Sequence, residues 1–323
     1  MSKIFQRRSH ADDYYHPIPV IPIPVIPIPV AQTAEEIQAD KAAALAASMA
    51  KIRARFAKKP PAPVPQLPVW AEAARGVPNS IIRSALFGAG DRQHHLTLTK
   101  IASFNNIEIS LKGESFNEYD KDLWLGLLHL ARLQPLGERI EFTGSSFLTH
   151  LGRGKSSKKY EQLKADLIRL VGGVIELRCV ATGRAYVGTL VQDYARDDTT
   201  KRYSVNLNPK LIELFHDGYT LLDHEQRASL GKNELAKWLY SFYCTHAKAH
   251  ELKIATLYRL CRSNTPIRNF RIKLKTALAR LVDVGAIKSW TITGDLVCVE
   301  SAPSNAQRKH LKRRQKLSTG HGF

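Results

Sequence analysis

Three basic side chains recur at a spacing that places them on one side of a helix. Arg268, Arg271 and Lys275 are three and four residues apart, within a segment (residues 266–284) that has a helical pattern. Residues at this spacing share one face of an α-helix. Guanidinium and ammonium groups on an exposed face can bind phosphate oxygens, and arginine can also read the edge of a guanine. The chemistry that these residues offer is recognition of a polyanion.

The apolar residues of the same segment define the opposite, inward face. They recur at three- and four-residue spacing: Ile267, Phe270, Leu274, Leu278 and Leu281. A basic face opposite such a stripe is often only a solvated surface. The surrounding sequence favours DNA binding instead. A helical block (253–261) precedes the segment, Gly285 ends it, and two strands (286–292 and 296–300) follow around the turn Thr293-Gly294-Asp295. This order predicts a winged helix-turn-helix, whose second helix lies in the DNA major groove.

The same order of elements occurs earlier in the chain. A helix (117–133) precedes two helical segments (145–151 and 156–171) that are joined by Gly152-Arg153-Gly154. Three predicted strands then form the wing of a first module: 174–180, 185–194 and 203–207. The candidate DNA contacts of the two modules are basic or amide side chains: Lys155, Lys158, Lys159, Gln162, Lys201, Arg202, Asn264, Arg268, Asn269, Arg271 and Lys275.

The net charge points to the same kind of partner. The 323 residues include 48 Lys and Arg against 29 Asp and Glu, for a formal charge of +19. Such a charge favours nucleic acid, with an anionic membrane surface as the competing partner. No apolar run of about 18 residues occurs, so we expect no membrane span. The polar first residues predict no secretory signal.

The four cysteines, Cys179, Cys244, Cys261 and Cys298, lie far apart in the sequence. This spacing argues against a disulfide framework or a zinc ribbon, and predicts a protein of a reducing cytoplasm.

The two ends of the chain have a different composition from the middle. Prolines alternate with aliphatic residues over 17–30, which predicts a polyproline II spacer or a ligand for an aromatic groove. A basic amphipathic helix is predicted over 33–59, either as a docking or self-association element or as a single solvated helix. Residues 1–65 are therefore predicted to be largely disordered apart from this helix. The basic tail, 301–323, is predicted to be disordered and to contact phosphates non-specifically.

Three enzymatic or metal-binding interpretations are disfavoured. Gly154-Lys155-Ser156 resembles the end of a P-loop, but the required first glycine is replaced by Thr149 and a predicted helix precedes the turn. The sequence has no His-x-His pair for a nicking endonuclease. Cys244, His246 and His250 cluster without a fourth zinc ligand at a usual spacing. We expect no catalytic activity, no cofactor and no metal.

Short matches in the right order give the chain a resemblance to the TrfA family of plasmid replication initiators. They are Pro78-Asn79, Arg83-Ser84-Ala85-Leu86-Phe87, Gln134-Pro135-Leu136-Gly137, Phe142, Leu214-Phe215 and Asp295-Leu296-Val297. The resemblance covers about residues 66–299. It implies two tandem winged-helix domains that bind repeated iteron sites, promote opening of an adjacent A·T-rich segment, and recruit the host replicative helicase.

The resemblance also implies a peptide for the bacterial sliding clamp just before the first domain. The matching residues are Gln66-Leu67-Pro68-Val69-Trp70, where Val69 and Trp70 replace the family's Leu-Phe pair. They are either a clamp-binding peptide or the first core residues of the domain.

The sequence therefore predicts an α+β protein with winged-helix domains at 66–218 and 219–300. The expected partners are double-stranded origin DNA, single-stranded A·T-rich DNA, the helicase, the clamp and a second copy of the chain. The alternative functions are a repressor that regulates its own promoter and a structural DNA binder with little sequence preference.

Overall fold

The computed structural model describes residues 34–57, 64–104, 106–180, 182–246 and 251–302. The chain divides into two compact units, residues 1–62 and residues 63–323. The described part of the first unit is α1 (Ala34–Ala57), which agrees with the helix predicted over 33–59. Leu45, Met49 and Ile52 of its predicted apolar stripe are exposed. The proline repeat (17–30) and the tail beyond residue 302 lie outside the described residues.

The second unit mixes helices and strands, as the sequence predicts. Its described helices are α2 (Asn79–Ile82), α3 (Glu118–Ala131), α4 (Gly144–His150), α5 (Ser157–Gly172), α6 (Ile212–His216), α7 (His224–Ser229), α8 (Glu234–Cys244), α9 (Ile254–Leu260) and α10 (Ile267–Asp283). Its described strands are β1 (Ala74–Pro78), β2 (Phe87–Gly88), β3 (His94–Ile101), β4 (Ile107–Glu114), β5 (Phe116–Asn117), β6 (Ile140–Thr143), β7 (Val174–Cys179), β8 (Ala185–Thr189), β9 (Val191–Asp197), β10 (Arg202–Leu207), β11 (Tyr219–Asp223), β12 (Leu252–Lys253), β13 (Ile287–Thr293) and β14 (Leu296–Ser301).

Two helix pairs are flanked by strands in the same way. β6 precedes α4 and α5, and it joins β10 and β9 in a three-stranded antiparallel sheet. β12 precedes α9 and α10, and it joins β14 and β13 in a second such sheet. Another helix comes before each set, α3 in the first and α8 in the second. The predicted repetition of helix, helix, basic helix and strands is therefore present in the fold.

The predicted first wing is wrong in part. β7 and β8 do not join β9 and β10, but complete a four-stranded antiparallel sheet in the order β3-β4-β7-β8. The reason is apolar pairing, because Ile175 and Leu177 of β7 lie opposite Leu111 and Ile109 of β4 and all four are buried. The single strand predicted over 185–194 is also interrupted, at the fully buried Leu190. Of the strands predicted for the first wing, only β9 and β10 lie in the sheet that β6 joins beside the first helix pair.

The predicted boundary between residues 218 and 219 does not separate two independent packing units. β11 begins at that boundary and pairs antiparallel with β1, from Ala74 opposite Asp223 to Pro78 opposite Tyr219. The buried apolar residues of both helix pairs belong to one continuous core. Arg83 adds a polar link, since its guanidinium donates to Thr245 Oγ1 at 3.1 Å and to the Thr245 carbonyl at 2.6 Å. The two helix pairs are thereby held in one compact unit.

The start of α3 follows directly from its sequence. Asn117 is the N-cap residue, and its side-chain oxygen accepts from the backbone N–H groups of Tyr119 and Asp120. Asp120 returns a bond by accepting from the Asn117 N–H at 2.9 Å, which completes a capping box. Leu123 and Leu127, four residues apart, are then fully buried on one face. α3 thus forms the central support for the first helix pair.

Candidate nucleic-acid interface

α10 separates an apolar face from a basic face, as predicted. Phe270, Leu274, Leu278 and Leu281 are buried, and Phe270 packs edge-on against Tyr258 of α9 with ring centroids 5.1 Å apart. Ile267 is an exception to the predicted inward stripe, because 47% of it is exposed. Ile267 is the first residue of α10. The contact between α10 and α9 begins after it, at Phe270.

The outward face of α10 carries two available cations rather than three. Arg268 and Lys275 are exposed, and neither has an ion pair among the residues that the structure describes. Arg271 instead contacts the turn between β13 and β14, where it pairs with the Asp295 carboxylate and donates to the Gly294 carbonyl at 3.2 Å. Arg271 therefore differs from Arg268 and Lys275 in having an ion pair within the protein, and its contact with DNA stays a prediction. Its bonds fix the turn beside the helix.

Two amide side chains predicted as DNA contacts have different surroundings. Asn269 is exposed on α10. Asn264 lies in the turn before α10, where its side-chain N–H group donates to the Asp91 carboxylate. Asn264 is therefore engaged within the protein, while Asn269 remains accessible to a ligand.

The sequence analysis missed one outward residue of α10. Ile272 is 63% exposed, although it is a large apolar side chain. It falls outside the three- and four-residue stripe that packs inward, and this spacing is the signal that identifies it. Thr276, one turn later, is also exposed, and its hydroxyl donates to the Ile272 carbonyl at 3.2 Å.

The first helix pair presents a second basic surface. Lys155 lies in the turn before α5, Lys158 and Lys159 lie in its first turn, and all three are exposed. Gln162 does not complete this surface as predicted, because its amide donates to the buried Asp166 carboxylate at 2.7 Å. The three lysines are thus accessible to phosphates, whereas the Gln162 side chain is hydrogen-bonded to a buried carboxylate.

A buried ionic network holds α5 against α3. The Arg169 guanidinium donates to Asp120 at 2.6 Å and to Asp166 at 3.0 Å, and both carboxylates are fully buried. Arg153 donates to the other oxygen of Asp166 at 3.2 Å, and Arg92 lies 3.3 Å from Asp120. Burial raises the pKa of Asp120, and the neighbouring arginines oppose that effect. The network fixes the orientation of α5 from its inner side, so its lysines project from a rigid element.

Of the predicted wing residues of the first module, Lys201 lies in the turn between β9 and β10 and Arg202 begins β10. Lys201 is exposed and adopts a left-handed backbone conformation, with φ of 58°. Its carbonyl accepts from the N–H of Gly144 at 3.3 Å, which joins the turn to the start of α4. Arg202 is exposed and lies 3.5 Å from Glu141 across the sheet. Both side chains are accessible beside the helix pair.

The local structure does not fit a phosphate-binding loop at Lys155. A P-loop joins a strand to a helix, whereas α4 precedes the turn here. Cys244 lies at the end of α8, and the nearby His246 is buried against Thr245 and the Phe242 carbonyl. His250 lies outside the described residues. Over the described ranges, no three His, Cys, Asp or Glu side chains form a group that could hold a metal ion. Within those ranges, no helix combines the length and apolar character needed to cross a membrane.

The predicted clamp-binding peptide is not exposed as a unit. Leu67 and Trp70 are buried, whereas Gln66 is exposed and Val69 is 67% exposed. The Trp70 indole stacks on Phe215 with ring centroids 6.2 Å apart, and its N–H donates to His129 Nδ1 at 3.2 Å. Leu67 and Trp70 are therefore core residues. The core interpretation is wrong for Val69, which faces solvent.

Comparison with known proteins places this arrangement in a family. A family model described as TrfA protein matches residues 31–301 of the chain. The plasmid replication initiator protein TrfA of Escherichia coli is 24% identical over 238 residues, which cover 71% of this chain and 62% of that protein. The replication protein RepA of Salmonella typhi is 25% identical over 182 residues, which cover 54% of this chain and 50% of that protein. The matched region thus spans less than two thirds of either relative's length.

Two solved structures resemble part of the fold. Domains 2 and 3 of RctB share 13% identity with the chain, cover 70% of it and 98% of their own length, and give a TM-score of 0.49. The Pi initiator protein, solved in complex with iteron DNA, shares 14% identity, covers 58% of this chain and 96% of its own, and gives a TM-score of 0.43. The family model, by contrast, matches well over half of the chain, and on that match the chain belongs to the TrfA family.

Proposed function

We propose that the protein is a plasmid replication initiator that binds repeated double-stranded sites in the origin and promotes opening of an adjacent A·T-rich segment. The observation that carries this proposal is the outward face of α10, where Arg268 and Lys275 are exposed on a helix anchored by a buried apolar face. Family membership and the formal charge of +19 support it. No catalytic step is required of the chain, since binding free energy performs the work.

The proposed fold of the DNA-binding region is two winged helix-turn-helix modules, at 66–218 and 219–300. α5 and α10 are their recognition helices, and the β9–β10 and β13–β14 turns are their wings. Recognition helices enter the major groove, so two modules on one face of DNA would cover about two helical turns. The β1–β11 pairing supports a fixed spacing between the modules.

The proposed contacts divide by role. Arg268 is placed to read a base or bind a phosphate, because it lies in the first turn of α10, the end of a recognition helix that contacts base edges. Lys275 supplies a phosphate contact farther along the helix. The first module contributes phosphate contacts through its exposed cations: Lys155, Lys158, Lys159, Lys201 and Arg202. Arg271 positions the second wing through Asp295.

Further partners follow from the family resemblance. A replication initiator must contact the replicative helicase, and we propose α1 as a docking or self-association element because Leu45, Met49 and Ile52 are exposed on it. Contact with the sliding clamp through residues 66–70 would require Leu67 and Trp70 to leave the core. The bacterial cytoplasm is the proposed compartment.

The DNA-binding step is tested by removing Arg268 and Lys275, the two predicted cations of α10 that have no ion pair among the described residues. The double variant Arg268→Ala/Lys275→Ala should bind a duplex from the plasmid's own origin more weakly. Its plot of log affinity against log salt should be less steep by about 2, since each lost phosphate contact removes about 0.9 from the slope. Fluorescence anisotropy titrations at several salt concentrations measure both quantities.

The matched control is Lys112→Ala/Lys210→Ala. It removes the same charge from exposed residues outside both proposed recognition helices. Its salt slope should remain close to that of the wild type. Equal slopes for the α10 variant and the wild type would contradict the assignment of α10 to DNA.

A repressor built from the same modules is the alternative function. A repressor needs only to bind DNA, whereas an initiator must also support replication. A plasmid that carries the origin but lacks this gene should be maintained in cells that supply the wild-type protein, and lost in cells that supply the α10 double variant. Failure of the wild-type protein to maintain the plasmid would favour the repressor.

A further inference from the structure

The outward face of α10 has an apolar centre. Arg268, Ile272 and Thr276 are spaced four residues apart, so they form one row along the side of the helix opposite the buried Leu274 and Leu278. Ile272 is the middle member and is 63% exposed. It lies in the N-terminal half of α10, the part of a recognition helix that contacts base edges. A large apolar side chain therefore lies where a polar side chain that hydrogen-bonds to base edges would be expected.

The neighbours of Ile272 leave that centre apolar. The Thr276 hydroxyl donates to the Ile272 carbonyl within the helix at 3.2 Å, so its hydrogen is used and its methyl group remains for an external contact. Arg271 is held at the side by Asp295 and the Gly294 carbonyl. The exposed Arg268 and Lys275 flank the centre and supply positive charge around it. The face is a small apolar spot within a basic surround.

The major groove offers few apolar groups that such a side chain could contact. Base edges there are hydrogen-bond donors and acceptors, except for the C5 methyl group of thymine. An isoleucine pressed against a guanine or adenine edge would remove water from polar atoms without replacing their hydrogen bonds, which is unfavourable. Against a thymine methyl, the same burial is favourable.

We infer that Ile272, together with the methyl group of Thr276, contacts the C5 methyl of a thymine and makes Ile272 a specificity-determining residue of the second module. The inference rests on the proposed function, because it requires α10 to lie in the major groove. It adds to that function a preferred base and the side chain that selects it. Isolated apolar residues are common on protein surfaces. Ile272 differs in its position, at the centre of a basic helix face.

The experiment replaces thymines by uracils, which removes only the methyl group. A duplex site is first selected from a random library by the full-length wild-type protein. Each thymine in it is then replaced singly by uracil, and affinities are measured by fluorescence anisotropy at fixed salt. For the wild type, at least one replacement should weaken binding about fourfold, the effect of losing contact with one buried methyl group. That position identifies the contacted thymine.

Variants then assign the contact to side chains. Ile272→Ala should bind the thymine duplex more weakly and should lose the fourfold difference at the identified position. Thr276→Ser keeps the hydroxyl bond and removes only the methyl, so it should reduce that difference if both methyl groups contribute. Leu133→Ala is the matched control, because Leu133 is similarly exposed, at 66%, but follows α3 and lies outside both proposed recognition helices. It should keep the full difference.

The outcomes separate this inference from the proposed function. If the wild type binds thymine and uracil duplexes equally, or if Ile272→Ala keeps the wild-type difference at every position, the thymine contact is overturned while DNA binding stands. If the wild-type protein selects no duplex from the library, both the inference and the proposed function are overturned.

Discussion

Arg227 links α3 to α8, the helices that precede the two helix pairs, and its replacement provides a quantitative test of the fold. The side chain is 3% exposed. Its guanidinium donates to Asp122 at 2.8 Å, to Glu118 at 2.7 Å and to the Ser241 hydroxyl at 2.8 Å. It also donates to the Lys237 carbonyl at 3.0 Å. The carboxylates belong to α3, whereas Arg227 belongs to α7 and Ser241 to α8. The Arg227 side chain therefore bonds to elements on both sides of the predicted boundary between residues 218 and 219.

The substitution Arg227→Met retains an unbranched side chain and removes the charge. Breaking a buried ion pair by removing one partner costs about 3 to 5 kcal/mol, because a buried charge is left uncompensated. In the variant, each carboxylate still has a lysine as its ion-pair partner, because Lys121 lies 2.6 Å from Glu118 and Lys237 lies 2.7 Å from Asp122. Burial opposes the charge of Asp122, yet Arg227 and Lys237 hold its pKa at about 2. We therefore expect a loss of about 3 kcal/mol, at the lower end of the range.

Urea unfolding of the full-length chain, followed by circular dichroism, measures the loss. The matched control is Arg184→Met, which removes an exposed pair with Asp217 at 3.1 Å. Because that arginine is 58% exposed, the control should change the free energy of unfolding by less than about 1 kcal/mol. A loss for Arg227→Met that is no larger than the control's would refute the role of the network in joining α3 to α8.

Three further predictions follow from the structure. Gly90→Ala should destabilise the chain by more than about 1 kcal/mol in urea unfolding, because its new Cβ would lie 2.0 Å from the Arg262 carbonyl oxygen. Gly154→Ala, whose Cβ would extend into open space, should not destabilise the chain in this way. Burial lowers the pKa of His150 to about 4, below its unfolded value near 6.5, so stability should fall as pH falls through this window. His150→Gln should show a shallower fall between pH 6.5 and 4, and an equally steep fall would contradict this role. Lys155→Ala should weaken binding to every duplex and reduce the salt slope by about 0.9, whereas an unchanged slope would remove it from the interface.

Much of the second helix pair could be predicted from the sequence, because local signals agree there. The apolar spacing of Phe270, Leu274 and Leu278 fixes the buried side of α10. Gly294, with φ of 60°, allows the tight turn between β13 and β14. Helix periodicity and turn chemistry depend on neighbours in sequence, so they can be read without the fold.

The errors come from contacts between residues distant in sequence. No local pattern shows that β7 pairs with β4 or that β11 pairs with β1. Arg271 has the spacing of a DNA contact, but Asp295 lies 24 residues away and becomes its partner only in the folded chain. Gln162 is an exception, because its partner Asp166 is only four residues later in α5; what the local sequence does not show is that Asp166 is buried. Charged and amide side chains have several possible partners, and only tertiary structure selects among them.

The contacts of Trp70 show why the sequence allows two interpretations of residues 66–70, as a clamp-binding peptide or as core residues. An aromatic residue in a short peptide can fill a partner's pocket or its own core with the same chemistry. The partner here is Phe215, 145 positions later in the chain, together with the His129 imidazole. The sequence carries no local sign of either contact.

The ratio of specific to non-specific DNA affinity tests the central claim most directly. The full-length chain would be titrated, at one fixed salt concentration, against a duplex selected from a random library and against the same duplex with its sequence scrambled. Recognition of base edges by α10 predicts that the selected duplex binds at least about a thousandfold more tightly. Equal affinity for the two duplexes, or failure of the selection to converge on any sequence, would contradict the account.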